Sequence, residues 1–188
     1  MRCFIAIDMD EGIRAGLHEL QQDLAAKADV RKSDVKWVRP ESMHLTLKFL
    51  GEIKDRDLVE ICNIAKAVAG RHAPFDLAVR KVGHFGGRSA RVLWVGAGLG
   101  CSELLDLQKD LENQLASAGW PKENRKFSGH LTLCRIRNTK AGFELARLAE
   151  AYKGFDLGAI RCGAITVYQS QLRPEGPIYT SLGHYELL

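Results

Sequence analysis

The tetrapeptide His-Leu-Thr-Leu occurs twice in this chain of 188 residues, at His44–Leu47 and at His130–Leu133. Side chains along a β-strand alternate between its two faces, so the histidine and threonine of each copy share one face and the leucines share the other. We expect the leucine face to pack in the core and the histidine–threonine face to line a polar cleft. The repeat therefore predicts two similar strands that present two imidazoles and two hydroxyls.

Such a cleft suits acid–base chemistry at phosphorus. A neutral imidazole can take a proton from a nucleophile, and a protonated one can give a proton to a leaving oxygen, because the unperturbed pKa of histidine is about 6.5. Two hydroxyls can hold phosphoryl oxygens between the rings. A single histidine in an apolar strand is more often structural, and a strand threonine is often β-branched filler. The recurrence of the whole motif in matching contexts favours a shared functional site.

The rest of the composition narrows the class of protein. The five cysteines form no CxxC pair, which indicates neither a disulfide framework nor a thiolate zinc site. No apolar run approaches the roughly 20 residues of a membrane span, and the N-terminus reads as a strand rather than as a signal peptide. We therefore expect a cytoplasmic protein with reduced thiols. We also expect a monomer. The net charge of +4 permits an anionic partner such as RNA.

The apolar pattern predicts strands and helices in two halves that resemble each other in outline. No low-complexity stretch or linker separates the halves, so we predict a single bilobal α+β domain over residues 1–188. The predicted strands are 2–8, 34–38, 43–50, 75–82, 91–96 and 130–136, with three more within 155–188 around a turn at Pro174–Pro177; the predicted helices are 10–27, 55–69, 102–118 and 141–152.

The segments around both motifs resemble one known family along most of the chain. These segments are Arg2–Ile7, Val38–Gly51, Arg91–Gly96, Phe127–Arg135, Ser170–Leu172 and Gly176–Tyr179. They are similar to the bacterial and archaeal RNA 2′,3′-cyclic phosphodiesterases, also called 2′-5′ RNA ligases, of the two-histidine phosphoesterase superfamily. The resemblance implies two lobes whose antiparallel sheets line a V-shaped cleft, with helices outside.

The resemblance also implies a reaction and its substrates. Water opens the 2′,3′-cyclic phosphate of an RNA end or a nucleotide to a 2′-phosphate, without a metal or another cofactor. In some relatives the same site reversibly joins or cleaves 2′-5′ RNA linkages. By resemblance, His44 is the acid that protonates the departing ribose 3′ oxygen, and His130 is the base that activates water. The residues alone leave the order of these two roles open.

Several further residues are candidates for binding the substrate. Thr46 and Thr132 are predicted to hold the phosphate. Arg135 resembles an arginine that often follows the second motif, but strict alternation places it opposite His130 unless the strand ends or bulges there, so phosphate binding and surface solvation both stay open. By strict alternation the Lys48 side chain lies on the same face as His44. It could attract the phosphate there, or it could simply be an exposed lysine of the strand. Phe4 is a candidate for stacking on a terminal base or, alternatively, a core residue.

Two positions depart from the family pattern. Gly129 directly precedes His130, where the family often has proline, which could loosen the start of the strand but removes no chemical group. Cys134 stands at the position that corresponds to Lys48, so the two halves of the cleft are not chemically equivalent. Ser170 and Tyr179 match the family's C-terminal segment, and their chemical role is open.

Two other classes of function compete with the phosphodiesterase. A nucleotide-binding or RNA-binding module could keep the fold without turnover, but binding alone does not need a matched pair of histidines and threonines. A metallohydrolase could use the histidines as ligands, but the sequence lacks the HExxH pattern and neighbouring carboxylates. Full activity in excess chelator would separate the phosphodiesterase from the metallohydrolase.

Overall fold

A computed structural model describes residues 1–174 and 176–188 of the chain. Within these residues, strands and helices alternate much as the apolar pattern predicts, while the predicted turn at Pro174–Pro177 includes residue 175, which lies outside the described residues. The strands are β1 (Arg2–Asp8), β2 (Val35–Trp37), β3 (His44–Glu52), β4 (Phe75–Phe85), β5 (Val92–Ala97), β6 (His130–Ile136), β7 (Asp156–Cys162), β8 (Ala164–Arg173) and β9 (Gly176–Glu186), and the helices are α1 (Glu11–Lys27), α2 (Leu58–Ala69), α3 (Ser102–Ser117) and α4 (Thr139–Glu150).

The strands form two antiparallel sheets, one for each histidine motif. The first sheet has the order β3-β1-β8-β9, and the second has the order β2-β6-β5-β4-β7. The two motif strands, β3 and β6, approach each other where the sheets meet. The predicted α+β architecture with two antiparallel sheets is confirmed. Each motif thus belongs to its own sheet, and the strands that carry the motifs contact each other at the junction.

The first helix connects the two sheets. Asp10 caps α1, since its Oδ1 accepts a hydrogen bond of 2.7 Å from the backbone N–H of Ile13. Gln21 lies on the buried side of this helix, and its Nε2 donates 2.8 Å hydrogen bonds to the carbonyl oxygens of Val38 and Leu133. Leu133 belongs to β6. The helix α1, which directly follows β1 of the first sheet, is therefore hydrogen bonded to the motif strand of the second sheet.

Both motif strands contain a β-bulge at the same position of the motif. In the first sheet Thr46 pairs with Ala6 and Lys48 with Ile5, which leaves Leu47 without a partner. In the second sheet Thr132 pairs with Trp94 and Cys134 with Leu93, which leaves Leu133 without one. An extra residue reverses the alternation of faces beyond it.

The two bulges decide which side chains reach the cleft. Beyond them, Lys48 and Cys134 turn into the core, where their residues are 4% and 0% exposed. Phe49 and Arg135 turn outwards instead, onto the face that carries the histidines. The sequence repeat therefore corresponds to a repeated strand geometry that extends two residues past the tetrapeptide.

Candidate active site

His44 begins β3 and packs among aromatic rings. Its imidazole stacks on Phe4, with 4.6 Å between the ring centroids, and meets the ring of Tyr179 edge-on at 5.1 Å. The imidazole is also hydrogen bonded to the backbone of Ser42. Because Phe4 packs against one face of the imidazole and Tyr179 against its edge, the His44 ring has a fixed orientation at the start of β3.

His130 is held in a similar way at the start of β6. Its Nδ1 lies 2.8 Å from the carbonyl oxygen of Ser128, and its ring meets Phe85 edge-on at 4.9 Å between centroids. A carbonyl oxygen can only accept, so Nδ1 carries the proton in this bond and Nε2 is the free nitrogen. A hydrogen bond to the residue two positions earlier thus orients both histidines.

Burial lowers the pKa of both imidazoles. For His44 it lowers the pKa to about 4; the Ser42 backbone hydrogen bond and the charge of Asp8 raise that pKa, while the charge of Arg14 lowers it. Burial also lowers the pKa of His130, the Ser128 hydrogen bond raises it, and the charge of Arg135 lowers it. Both rings are therefore neutral in the free protein at pH 7, and a bound anion would favour their protonation.

Arg135 connects the two halves of the site. Its charge lowers the pKa of His130 and also that of Tyr179, whose ring contacts His44. Arg135 thus acts electrostatically on a residue of each half, His130 on β6 and Tyr179 beside His44. Arg135 is exposed, and no ion-pair partner is found for it within the described part of the chain. Its guanidinium is thus available to an anion in the cleft.

The prediction that Lys48 attracts phosphate is wrong. Its Nζ is buried and lies 2.7 Å from Oε1 of Glu112 on α3 and 2.7 Å from the carbonyl oxygen of Pro121. Strict alternation placed Lys48 beside His44, but the bulge at Leu47 turns the side chain away from the cleft. Lys48 therefore has a structural role in the core.

Of the two alternatives for Phe4, the core position is confirmed and stacking on a terminal base is wrong. Phe4 is 3% exposed because His44 covers one face of its ring and Tyr168 stacks at 5.3 Å between centroids. Phe49 on the neighbouring strand is instead 53% exposed, and its ring centroid lies 6.1 Å from that of Phe4. Phe49 and Arg135 occupy equivalent positions after the two bulges.

A hydrogen-bonded network that sequence reasoning missed lies beside His44. Asp8 is the cross-strand partner of His44, and its carboxylate accepts 2.7 Å and 2.9 Å hydrogen bonds from Tyr168 and Thr166. The Thr166 hydroxyl oxygen also lies 2.9 Å from Nδ1 of His184. Burial and the bond to Asp8 raise the pKa of Tyr168, so this phenol stays a donor. The network fixes one negative charge near His44.

The structure gives a physical reason for glycine in place of proline at position 129. Gly129 is buried, and its carbonyl oxygen accepts a 3.0 Å hydrogen bond from the backbone N–H of Ala97. A Cβ atom at position 129 would overlap the carbonyl oxygen of Ala97. Glycine therefore allows the close approach of the β6 entrance to β5 in this protein.

Within residues 1–174 and 176–188, no group of three or more histidine, cysteine, aspartate or glutamate side chains is arranged to hold a metal ion. No helix in the same residues is both long and apolar enough to span a membrane.

Comparisons with known proteins match nearly the whole chain. The family model described as LigT like phosphoesterase matches residues 7–94 and 100–179, which include both histidine motifs. An RNA 2′,3′-cyclic phosphodiesterase of Methanothermobacter thermautotrophicus is 32% identical over 188 residues, which cover 100% of this chain and 99% of the relative.

Solved structures agree with these matches. A crystal structure of a Thermus thermophilus protein has a TM-score of 0.81 and 27% identity, and it covers 100% of this chain and 98% of the other. The crystal structure of Escherichia coli LigT complexed with 3′-AMP has a TM-score of 0.76 and 26% identity, with 99% and 97% covered. The likeness therefore includes both sheets and the cleft between them.

Proposed function

Because this chain belongs to the LigT-like phosphoesterase family, we infer that it hydrolyses the 2′,3′-cyclic phosphate at an RNA end to a 2′-phosphate. One observation carries this proposal: the two histidine–threonine pairs lie on strands β3 and β6, which share the same bulge and contact each other where the sheets meet. Relatives similar over the full length bear the name RNA 2′,3′-cyclic phosphodiesterase, which supports the choice of substrate.

The proposed reaction is an in-line displacement at phosphorus. Nε2 of His130 takes a proton from water as the water oxygen bonds to phosphorus, and the bond from phosphorus to the ribose 3′ oxygen breaks. His44 donates a proton to that departing oxygen. The buried, neutral rings suit this scheme because an incoming phosphate anion raises their pKa values and so allows His44 to be charged in the complex.

Three polar side chains are proposed to hold the phosphate. Thr46 and Thr132 are half-buried on the cleft face, each two residues after its histidine. Their hydroxyls can donate to the non-bridging oxygens. The exposed guanidinium of Arg135 can donate two parallel hydrogen bonds and oppose the charge that develops on phosphorus.

The terminal base is proposed to stack on Phe49. This ring is exposed, and it is separated from His44 only by Phe4. A base stacked on an aromatic side chain contributes about 1–3 kcal/mol to binding and tolerates any of the four bases. Base stacking, first considered for Phe4, is therefore proposed for the exposed ring of Phe49.

We further propose that the protein acts as a monomer in the cytoplasm. Both histidines, both threonines and Arg135 come from one chain, so the cleft needs no partner to complete it. All five cysteines are free, as is usual for proteins of a reducing compartment.

Reversible ligation is proposed as a secondary activity of the same site. In a relative that joins 2′-5′ linkages, a 5′-hydroxyl would take the place of water.

The direct test is an assay on an oligonucleotide that ends in a 2′,3′-cyclic phosphate. We expect an RNA 2′-phosphate as the product, at the same rate with and without excess chelator. Comparison with synthetic 2′-phosphate and 3′-phosphate standards identifies the product. A 3′-phosphate product, or binding without turnover, would contradict the proposal, and adding a 5′-hydroxyl oligonucleotide tests ligation in the same tubes.

The pH dependence of kcat/KM should report the lowered pKa values of the free protein. The acid must be protonated and the base unprotonated, so the profile is bell-shaped and is bounded by the two histidine pKa values. One of these is about 4 and the other is below 6.5, so the maximum of kcat/KM lies below pH 6.5 and the rate constant falls through neutral pH.

A control variant tests the electrostatic part of this prediction. Asp8→Asn removes a charge that raises the pKa of His44, so it should move the kcat/KM profile further towards acid. The kcat profile of the wild type should lie at higher pH than its kcat/KM profile, because bound phosphate raises both pKa values. A kcat/KM that still increases above pH 7 would be inconsistent with neutral, buried imidazoles.

A further inference from the structure

A polar pocket of about 390 Å³ lies next to the His44 half of the cleft. Its walls are residues 48–50 of β3 and the loop 120–125, which lies between α3 and β6. Phe49 belongs to the pocket and to the cleft, since its exposed ring lies 6.1 Å from Phe4 beneath His44. The pocket therefore continues the cleft beyond the ring proposed to stack on the terminal base.

Buried hydrogen bonds hold the loop in place. Nζ of Lys48 contacts Glu112 and donates to the carbonyl oxygen of Pro121, both at 2.7 Å. The same carboxylate oxygen of Glu112 accepts a 2.6 Å hydrogen bond from the backbone N–H of Glu123. A strand residue and a helix residue thus fix two points of a loop that is largely exposed, so the pocket is present before a ligand arrives.

The charged side chains of the loop differ in their availability. Nζ of Lys122 donates a 2.6 Å hydrogen bond to Oδ1 of Asn113. Arg125 is exposed, and among residues 1–174 and 176–188 the structure gives it neither an ion pair nor a side-chain hydrogen bond. The side chain of Glu123 is the acidic group of the same loop. The pocket therefore offers an anion one unengaged guanidinium and a second cation nearby.

We propose that this pocket binds the internucleotide phosphodiester next to the terminal nucleotide of the substrate, with Arg125 as the contacting cation. The proposal rests on the proposed function and specifies its substrate class. The terminal ribose carries the cyclic phosphate on its 2′ and 3′ oxygens, so it is linked to the next nucleotide only through its 5′ oxygen. With the cyclic phosphate between the histidines and the base on Phe49, the chain continues past Phe49 into the pocket. The protein prefers RNA of two or more nucleotides over a mononucleotide.

The test compares two substrates that share the same reacting end. We expect Arg125→Ala to lower kcat/KM about tenfold for a trinucleotide with a 2′,3′-cyclic end, as for the loss of one hydrogen bond to a charged group. The same variant should leave kcat/KM for the corresponding mononucleoside 2′,3′-cyclic phosphate unchanged. Increasing salt should shrink the difference between wild type and variant on the trinucleotide, because the contact is with a phosphate.

Two control variants make the result specific. Lys66→Ala removes the same charge from an exposed position of α2 outside the pocket and should leave both substrates unaffected. Phe49→Leu should slow both substrates, because the base platform serves each of them. An equal loss on both substrates with Arg125→Ala, or no loss on the trinucleotide, would overturn the subsite.

A binding measurement separates failure of the subsite from failure of the proposed function. Hydrolysis of neither substrate by the wild type would contradict the proposed function. The subsite is then judged by the affinity for a labelled trinucleotide ending in a 2′-phosphate, measured by fluorescence anisotropy. Weaker binding by Arg125→Ala than by Lys66→Ala would support the pocket, and equal binding would overturn it.

Discussion

Replacement of either histidine by alanine is expected to reduce turnover of a 2′,3′-cyclic phosphate end by about 10²–10⁴-fold. The reason is that each ring performs one of the two proton transfers, and no other described side chain occupies its position in the cleft. The double variant His44→Ala/His130→Ala should be little slower than the slower single variant, because residues that act as a unit have non-additive effects. Single-turnover rates with saturating protein measure the chemical step without the contribution of product release.

Controls separate lost chemistry from lost packing. His44 stacks on Phe4, so His44→Ala opens space beside the aromatic cluster, and thermal unfolding should confirm that both variants remain folded. Thr46→Val and Thr132→Val keep the shape of the strand and both imidazoles but remove one hydroxyl each, so their losses should be smaller than those of the histidine variants. Near wild-type turnover by either histidine variant would contradict the mechanism.

The parts of the site that the sequence could predict are those governed by a local rule. Alternation along a strand was enough to place Leu45 and Leu131 in the core and the two histidines on the opposite face, and the burial of each residue agrees with this. The α1 cap at Asp10 and the apolar stripe behind it follow from residues only a few positions apart. For both the motif strands and α1, the residues that determine the structure lie within a single strand or helix.

Strict alternation of faces fails beyond the bulges in β3 and β6. A strand with an extra residue reads in the sequence like one without it, because its residue types do not reveal the register with its neighbour. The prediction for Lys48 in the first motif consequently failed, and the alternatives for Arg135 were left open. The shared bulge explains both outcomes, since Lys48 corresponds to the buried Cys134 and Arg135 corresponds to the exposed Phe49.

Contacts between distant segments were not predictable for a different reason. Asp8 meets Thr166 and Tyr168, and Gln21 meets Leu133, only because the chain returns to the same place after more than a hundred residues. No periodicity within one element encodes such a meeting. These contacts supply the charge beside His44 and the link between the sheets, so they affect the chemistry of residues that the sequence did identify.

Breaking the buried ion pair of Lys48 should produce the largest loss of stability. We expect Lys48→Met to lower the free energy of unfolding by about 3–5 kcal/mol, because it leaves the carboxylate of Glu112 buried without its cation. The hydrogen bond to the carbonyl oxygen of Pro121 is lost as well, so the start of loop 120–125 is released. Urea unfolding monitored by tryptophan fluorescence measures the change, with Trp120 at the edge of the affected loop.

Two further variants show whether the charge is the cause. Lys48→Met/Glu112→Leu removes both charges together and should recover a large part of the lost stability, because two apolar side chains can replace a buried ion pair. Lys27→Met breaks the exposed pair between Lys27 and Asp23 and should change stability by no more than about 1 kcal/mol. If Lys48→Met were as mild as Lys27→Met, the pair would not anchor the loop, and the fixed pocket beside Phe49 would lose its structural basis. If the double variant recovered stability but not trinucleotide turnover, the pair would be needed to shape the pocket rather than to hold the fold together.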